Sequence, residues 1–138
     1  MGGSPVLKPI PEIKRVLVVD DEPAIAWLLA STLQGRGHHV ETSHNGRDVL
    51  ALARSHQPHV VVLDVVMPEM DGFRVLEELR SDPGTAQVPV LLMSAGFDPV
   101  FRQRARQEGV AFVEKPFDWT RVVQRVESLL SRSDTPPV

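Results

Sequence analysis

The sequence predicts a single α/β domain in which a five-stranded parallel sheet is covered on both faces by five helices. Short apolar segments alternate along the 138-residue chain with stretches whose apolar residues recur at helical spacing. The strongest apolar segment, residues 60–63, is continuous, as expected of a strand buried on both faces of a parallel sheet. Away from the two ends, the prolines fall at the boundaries of these segments, where they disturb neither a helix nor a sheet ladder.

The strands are predicted from short runs of apolar residues, many of them β-branched. The second run is the weakest, because it contains several polar residues. The third is the strongest, because four apolar residues follow one another without interruption. The five predicted strands comprise residues 14–20, 38–42, 60–64, 88–93 and 110–114.

Each predicted helix begins at a residue that favours a helix start. Pro23 suits the first turn of the first helix, because proline lacks the backbone N–H that a first turn leaves unbonded. The later helices are expected to start at Asn45, Asp71, Asp98 and Asp118. The first helix is expected to bury the face formed by Ile25, Leu28, Leu29, Thr32 and Leu33.

The order of the strands follows from the handedness of their connections. Crossovers between parallel strands are right-handed, which leaves few arrangements for five βα units. The doubly wound, flavodoxin-like order 2-1-3-4-5 is the natural candidate, and it places a crevice at the carboxyl ends of the first and third strands. We expect this domain to cover residues 14–131. The ends, 1–13 and 132–138, are rich in Pro, Gly and Ser and are expected to be disordered arms.

The composition excludes several classes of protein and site. The chain has no cysteine, which excludes disulfide scaffolds, thiolate zinc sites and cysteine nucleophiles. Its net charge of −3 offers no general attraction to polyanions, so we expect neither direct nucleic-acid binding nor membrane association. The amino-terminal residues lack the apolar core of a secretion signal, which favours a cytoplasmic location.

Polar residues follow or end four of the predicted strands. Asp20 ends the first and Asp21 comes next, Asp64 ends the third, Ser94 follows the fourth and Lys115 follows the fifth. Because the carboxyl ends of parallel strands meet at one edge of the sheet, these side chains are expected to lie close together. Three carboxylates so close favour a cation, and oxygen ligands with room for water suit Mg²⁺. The hydroxyl and the lysine complete a site for a tetrahedral anion, with a carboxylate available as the nucleophile.

Each of these residues alone has a more ordinary interpretation. The first two aspartates could cap the following helix, and Asp64 and Ser94 could be turn residues. Lys115 alone could be a solvated surface lysine. Only their common placement at one edge of the sheet favours a functional site.

Four segments of the chain resemble the receiver domain of bacterial two-component response regulators, of the kind found in chemotaxis regulators. The segments are VLVVDDEP, VVLDVVMPEMDG, LLMSA and FVEKPF, and they fall in order at the predicted strand ends. The resemblance covers residues 14–131. It implies a phosphorelay signalling protein that takes part in phosphotransfer to its own aspartate and in autodephosphorylation, and not an enzyme with an external substrate.

The resemblance assigns a role to each residue of the site. It implies that Asp64 accepts a phosphoryl group from a sensor histidine kinase or a phosphotransfer protein. Mg²⁺ would be held by the carboxylates of Asp20, Asp21 and Asp64 and by the backbone carbonyl of Val66. Ser94 and Lys115 would bind the phosphoryl oxygens, and a cis peptide between Lys115 and Pro116 would fix the direction of the lysine.

The resemblance also implies a conformational switch at the surface formed by the fourth helix, the fifth strand and the fifth helix. Ser94 and Phe112 occupy the switch positions, although an aromatic residue in a strand is as often simply part of the core. The partner would be a downstream protein or an output domain outside this chain, and a phosphorylation-dependent homodimer is compatible with the pattern.

The fourth helix carries three arginines that form either a solvated face or a docking patch for an acidic partner, namely Arg102, Arg104 and Arg106.

Two positions predict a long-lived phosphorylated state. Val66 lies two residues after Asp64, and Gly96 lies two residues after Ser94. In the family these positions flank the path of the attacking water, and neither residue here has a group that could orient it.

Three competing interpretations remain open. A phosphatase resembling the haloacid dehalogenases would need a second aspartate where Val66 stands, and a flavodoxin-like FMN protein would need a glycine- and hydroxyl-rich phosphate loop where Asp20 and Asp21 stand. The third is a degenerate receiver that serves only for protein interaction.

The histidines are not expected to form a metal site; they are His38, His39, His44, His56 and His59.

Overall fold

The structure, a computed structural model, describes residues 14–95, 99–115 and 119–133. The predicted helix starts Asp98 and Asp118 and most of the two predicted arms lie outside these residues. Within them, strands and helices alternate along the chain as predicted. The elements are β1 (Arg15–Val19), α1 (Pro23–Gly35), β2 (His39–Ser43), α2 (Val49–His56), β3 (Val60–Asp64), α3 (Gly72–Ser81), β4 (Val90–Ala95), α4 (Pro99–Gln107), β5 (Ala111–Lys115) and α5 (Trp119–Ser133).

The five strands form one parallel sheet in the order β2-β1-β3-β4-β5, which confirms the predicted doubly wound topology. The register brings the ends of neighbouring strands together. Asp64 of β3 is paired with Met93 of β4, and the next residue of β4, Ser94, is paired with Glu114 of β5. The polar strand ends therefore lie along one edge of the sheet.

The buried apolar side chains form two cores, one on each face of the sheet. Successive strand residues point to opposite faces, so that Leu17 and Val19 enter one core while Val16 and Val18 enter the other. The first core packs against α2, α3 and α4, and the second against α1 and α5. All five residues of β3 are buried, as its continuous apolar sequence predicts.

The described helix starts agree with the sequence at Pro23 and Asp71 and only in part at Asn45. Pro23 opens α1. The side chain of Asp71 caps α3 by accepting a hydrogen bond from the backbone N–H of Arg74. Asn45 likewise accepts from the N–H of Asp48, but this cap opens a 3₁₀ turn, Gly46–Asp48, and the α-helix begins only at Val49.

The predicted buried face of α1 is wrong in part. Leu28 is 41% exposed and Thr32 is exposed, whereas Leu29 and Leu33 are buried as expected. The buried stripe recurs at i, i+3, i+4 and i+7 as a helix requires, but it is rotated by about one residue from the predicted one. Small residues replace bulky ones at the sheet, because alanine lets the helix approach the strands closely. The stripe is Ala26, Leu29, Ala30 and Leu33.

The strand boundaries differ from the predictions by at most two residues. β4 begins at Val90, two residues later than predicted, and includes Ser94 and Ala95. Lys115 is the last residue of β5. α5 continues to Ser133, so that the helix passes the predicted domain end at residue 131. None of the helices in the described parts of the chain combines the length and apolarity needed to cross a bilayer.

Candidate functional site

Three carboxylates lie together at the carboxyl ends of β1 and β3. Asp20 directly follows β1 and Asp64 ends β3, and these two strands are neighbours in the sheet. One carboxylate oxygen from each of Asp20, Asp21 and Asp64 lies within 4.8 Å of the others. Asp20 and Asp64 are 0% and 3% exposed, whereas Asp21 is partly exposed. The structure therefore brings together the three acidic residues that the sequence singled out.

Asp20 is held by contacts through three of its groups. Its backbone N–H donates to the carbonyl of Ser43, 3.1 Å away, which extends the pairing of β1 with β2. Its carboxylate accepts a hydrogen bond from the backbone N–H of Glu22 at 2.9 Å. Nδ1 of His44 lies 3.0 Å from its carbonyl oxygen, and since a carbonyl only accepts, Nδ1 is the donor of this hydrogen bond. The orientation of this buried carboxylate is thus set by β2 and by the start of α1.

Asp64 is positioned by the main chain that follows it. The N–H of Val65 donates to the carbonyl of Met93, which continues the β3–β4 pairing past the strand end. The N–H of Gly72, at the start of α3, donates to the carbonyl of Val65 at 2.8 Å. A Cβ atom on Gly72 would lie 2.5 Å from the carbonyl oxygen of Asp64, so only glycine permits this approach. Gly72 is absent from the residues predicted to form the site, although its place directly after the helix cap Asp71 is a usable signal.

The remaining predicted site residues lie on or next to β3, β4 and β5. Ser94 is buried on β4, one residue beyond the partner of Asp64. Phe112 is half-buried on β5 and is paired with Leu92. The backbone of Lys115 ends β5 opposite Ala95, while its side chain and Pro116 lie outside the described part of the structure. Val66 is 56% exposed beyond β3. Gly96 also lies outside the described residues.

The acidic cluster fits a small, hard divalent cation. Mg²⁺ prefers oxygen ligands, takes one or two carboxylates from a protein and keeps several waters. The cluster supplies carboxylates within reach of one another, and Asp21 leaves it partly open to solvent. Two of its members are almost completely buried, and like charges at such separations are costly without a cation nearby.

Two of the three α4 arginines contact neighbouring elements, which neither sequence-based interpretation anticipated. Arg102 forms an ion pair with Glu114 of β5, and its guanidinium carbon is 5.7 Å from the centre of the Phe112 ring. Arg104 lies over Phe73 of α3 at 4.2 Å and is within ion-pairing distance of a carboxylate on α3 and of Glu108, which directly follows α4. These side chains join α4 to the rest of the domain, so the helix is not a uniformly solvated basic face.

The match to known families agrees with this geometry. A family model described as the response regulator receiver domain matches residues 16–127. The chain belongs to the response regulator receiver family. The receiver domain is 43% identical to the probable transcriptional regulatory protein TcrX of Mycobacterium tuberculosis, over 86% of this chain and 50% of TcrX. It is 31% identical to the protein PilH of Pseudomonas aeruginosa, over 85% of this chain and 98% of PilH.

Solved structures of receiver domains have the same fold. A putative response regulator from Chloroflexus aurantiacus superimposes with a TM-score of 0.81 at 28% identity, covering 88% of this chain and all of that one. The chemotaxis protein CheY4 of Vibrio cholerae gives a TM-score of 0.78 at 30% identity, covering 85% and 98%. The receiver domain spans about half the length of several curated relatives, including TcrX and RpaA of Synechocystis, and nearly all of PilH.

Proposed function

We propose that this receiver domain accepts a phosphoryl group on Asp64 from the phosphohistidine of a sensor histidine kinase or a phosphotransfer protein. The observation that carries the proposal is the buried Asp64 carboxylate at the end of β3, with oxygens of Asp20 and Asp21 within 4.8 Å. In the transfer, a carboxylate oxygen of Asp64 bonds to phosphorus as the bond from phosphorus to the histidine nitrogen breaks. The imidazole leaves with the electron pair of that bond and takes up a proton from solvent.

The proposed metal ligands are the carboxylates of Asp20, Asp21 and Asp64 and the backbone carbonyl of Val66. When bound, Mg²⁺ supplies positive charge to the phosphoryl oxygens, since phosphoryl transfer depends mainly on positioning and charge neutralisation. The protein orients one of the proposed metal ligands before the ion binds, because the carboxylate of Asp20 accepts a hydrogen bond from the N–H of Glu22. Such preorganisation reduces the cost of assembling the site when the phosphodonor arrives.

Ser94 and Lys115 are proposed to bind the other phosphoryl oxygens. The support for Ser94 is its burial one residue beyond the β4 partner of Asp64. The support for Lys115 is its position as the last residue of β5, two strands from Asp64. A cis peptide before Pro116 is part of this proposal, as is slow hydrolysis of the acyl phosphate by water.

Phosphorylation is proposed to alter the surface made by α4, β5 and α5. Ser94 and Phe112 are the proposed switch residues, and they lie on neighbouring paired strands. We propose a cytoplasmic signalling role in which this surface binds a downstream protein or an output domain, or a second phosphorylated copy. The domain itself is proposed to bind neither nucleic acid nor a membrane directly, consistent with its net charge of −3.

The test is phosphorylation by a small phosphodonor with Mg²⁺, followed by intact-protein mass spectrometry. Wild type is expected to gain one phosphoryl group and Asp64→Asn none. Asp71→Asn is the matched control, because Asp71 is an exposed cap of α3 and asparagine caps a helix equally well. The proposal fails if wild type takes up no phosphate, or if Asp64→Asn is labelled as fully as wild type.

A further inference from the structure

Arg102 of α4 contacts two residues of the neighbouring strand β5. Its guanidinium forms an ion pair with Glu114 and lies 5.7 Å from the centre of the Phe112 ring. Phe112 and Glu114 are two residues apart, so their side chains share one face of the strand. A single arginine therefore holds an aromatic ring and a carboxylate on the same strand.

The two residues held by Arg102 are on the strand paired with β4, which carries the proposed phosphoryl-binding residue Ser94. Phe112 is paired with Leu92 of β4, and Glu114 is paired with Ser94. Ser94 in turn is one residue beyond the partner of Asp64. Arg102 therefore contacts the residue of β5 that is paired with Ser94 and the residue two positions before it.

Few side chains of α4 are buried against the rest of the domain. Ala105 is its one fully buried residue in the described structure, and Phe101 is only partly buried. Arg104 supplies a second cation–aromatic contact, to Phe73 on the opposite side of the helix. Because the apolar contribution of α4 is small, the loss of one arginine contact should shift its equilibrium position measurably.

We propose that Arg102 is a positioning residue that holds Phe112 on the α4 side of β5 and so opposes the phosphorylated arrangement. This inference rests on the proposed function, with Ser94 and Phe112 as the switch residues, and takes the switch to be a movement of the Phe112 ring toward the space beside Ser94. To make that movement, the ring must give up its contact with the guanidinium of Arg102. The arginine then stabilises the unphosphorylated arrangement, and its removal should ease the switch.

The expected effect is modest, because both contacts are partly exposed. The Arg102 and Glu114 side chains are 48% and 29% exposed, so solvent screens their ion pair. A cation–aromatic contact at an exposed site changes an equilibrium by about two- to fivefold. An Arg102→Gln variant should therefore bind a phosphoryl mimic about two- to fivefold more tightly than wild type.

The experiment is a calorimetric titration of beryllofluoride, a phosphoryl mimic, in the presence of Mg²⁺. It compares wild type, Arg102→Gln and the matched control Arg106→Gln. Arg106 lies on the same helix and undergoes the same change of charge, but in the described structure it has no ion pair or ring contact. We expect tighter binding by Arg102→Gln alone. Equal or weaker binding by Arg102→Gln overturns the inference.

A second comparison separates an effect through Phe112 from general loosening of the helix. In a Phe112→Leu background, which removes the aromatic ring, Arg102→Gln should lose most of its effect. Arg102→Lys, which keeps the charge but not the planar group, should fall between wild type and Arg102→Gln. An unchanged effect in the Phe112→Leu background overturns the proposed route. If wild type binds no mimic, the proposed function fails as well, whereas equal binding by all variants contradicts the inference alone.

Discussion

Gly72 lies so close to Asp64 that a Cβ atom on the glycine would be 2.5 Å from the carbonyl oxygen of the aspartate. The N–H of the same glycine donates to the carbonyl of Val65. These contacts fix the start of α3 against the end of β3. The position of the candidate nucleophile therefore depends on a residue that carries no chemistry of its own.

A Gly72→Ala variant should lose both stability and phosphorylation rate. The added methyl would meet backbone atoms, which cannot move aside as a flexible side chain would, so we expect a loss of about 1–3 kcal/mol in unfolding free energy. Urea denaturation and phosphodonor assays measure the two effects. Gly35→Ala is the control, because a Cβ there has no neighbour within 4 Å. A Gly72→Ala protein as stable as wild type would contradict the structural role.

Mg²⁺ should raise the thermal stability of the receiver domain through the acidic cluster. A ligand that binds only the folded state, and is present at ten times its Kd, adds about 1.4 kcal/mol to the free energy of unfolding. Asp21→Asn removes one of the three carboxylates and should abolish most of this increase. Glu41→Gln, an exposed substitution on β2 with the same charge change, should respond to Mg²⁺ like wild type. Melting curves that rise equally with Mg²⁺ in all three proteins would place the ion elsewhere.

The phosphorylated state should decay slowly, and the decay should depend on residue 66. Val66 is 56% exposed beside the candidate nucleophile and has no group to orient an attacking water. Val66→Asn introduces an amide that can do so and should speed phosphate release several-fold, whereas Val66→Ala should not. Phosphate release from the isolated phosphorylated proteins measures the rates. Equal rates for the asparagine and alanine variants would show that this position does not control the lifetime.

The free energy of unfolding should decrease in acid, partly because the carboxylate of Glu127 in α5 becomes protonated. Burial opposes ionisation of this carboxyl, but hydrogen bonds from Arg36 and His38 outweigh burial and lower its pKa. A carboxyl whose pKa is lowered in the folded state stabilises the protein at pH values above its ordinary pKa of 4.5. This stabilisation is lost as the pH falls through the pKa of the folded state. Glu127→Gln should therefore cost about 0.5–1 kcal/mol near neutral pH and progressively less in acid.

Urea denaturation at a series of pH values tests the role of Glu127. Glu78→Gln is a suitable control, because the described structure gives that side chain no ion pair. The difference between wild type and Glu127→Gln should be largest above the ordinary glutamate pKa. A difference that stays constant from neutral to acid pH would mean that the contact acts through packing and not through charge.

The topology and the acidic cluster could be predicted because each depends on a local rule. A continuous apolar run such as residues 60–63 indicates a buried parallel strand, and strands of one parallel sheet end at the same edge. Asp20 and Asp64 were therefore predictable as neighbours although they are far apart in sequence. Carboxylate oxygens of the two residues lie within 4.8 Å of each other, which confirms that prediction.

Other features depend on which elements pack together, and the sequence alone does not specify this. The buried face of α1 was misjudged because side-chain size favoured Leu28, whereas close packing on the sheet favoured Ala26 and Ala30. The partners of Arg102 and Arg104 were unpredictable for the same reason. An arginine on a polar helix has the same sequence pattern whether it faces water or lies over an aromatic ring.

The division of the buried side chains into two cores also has a consequence for how mutations combine. Phe73 and Leu79 belong to the core under α3, and Leu29 and Val126 belong to the core between α1 and α5. Substitutions within one core share neighbours and should show strong epistasis, whereas substitutions in different cores are separated by the sheet and should be nearly additive. The energetic cost of a sequence change on one side of the sheet should thus not depend on which residues fill the core on the other side.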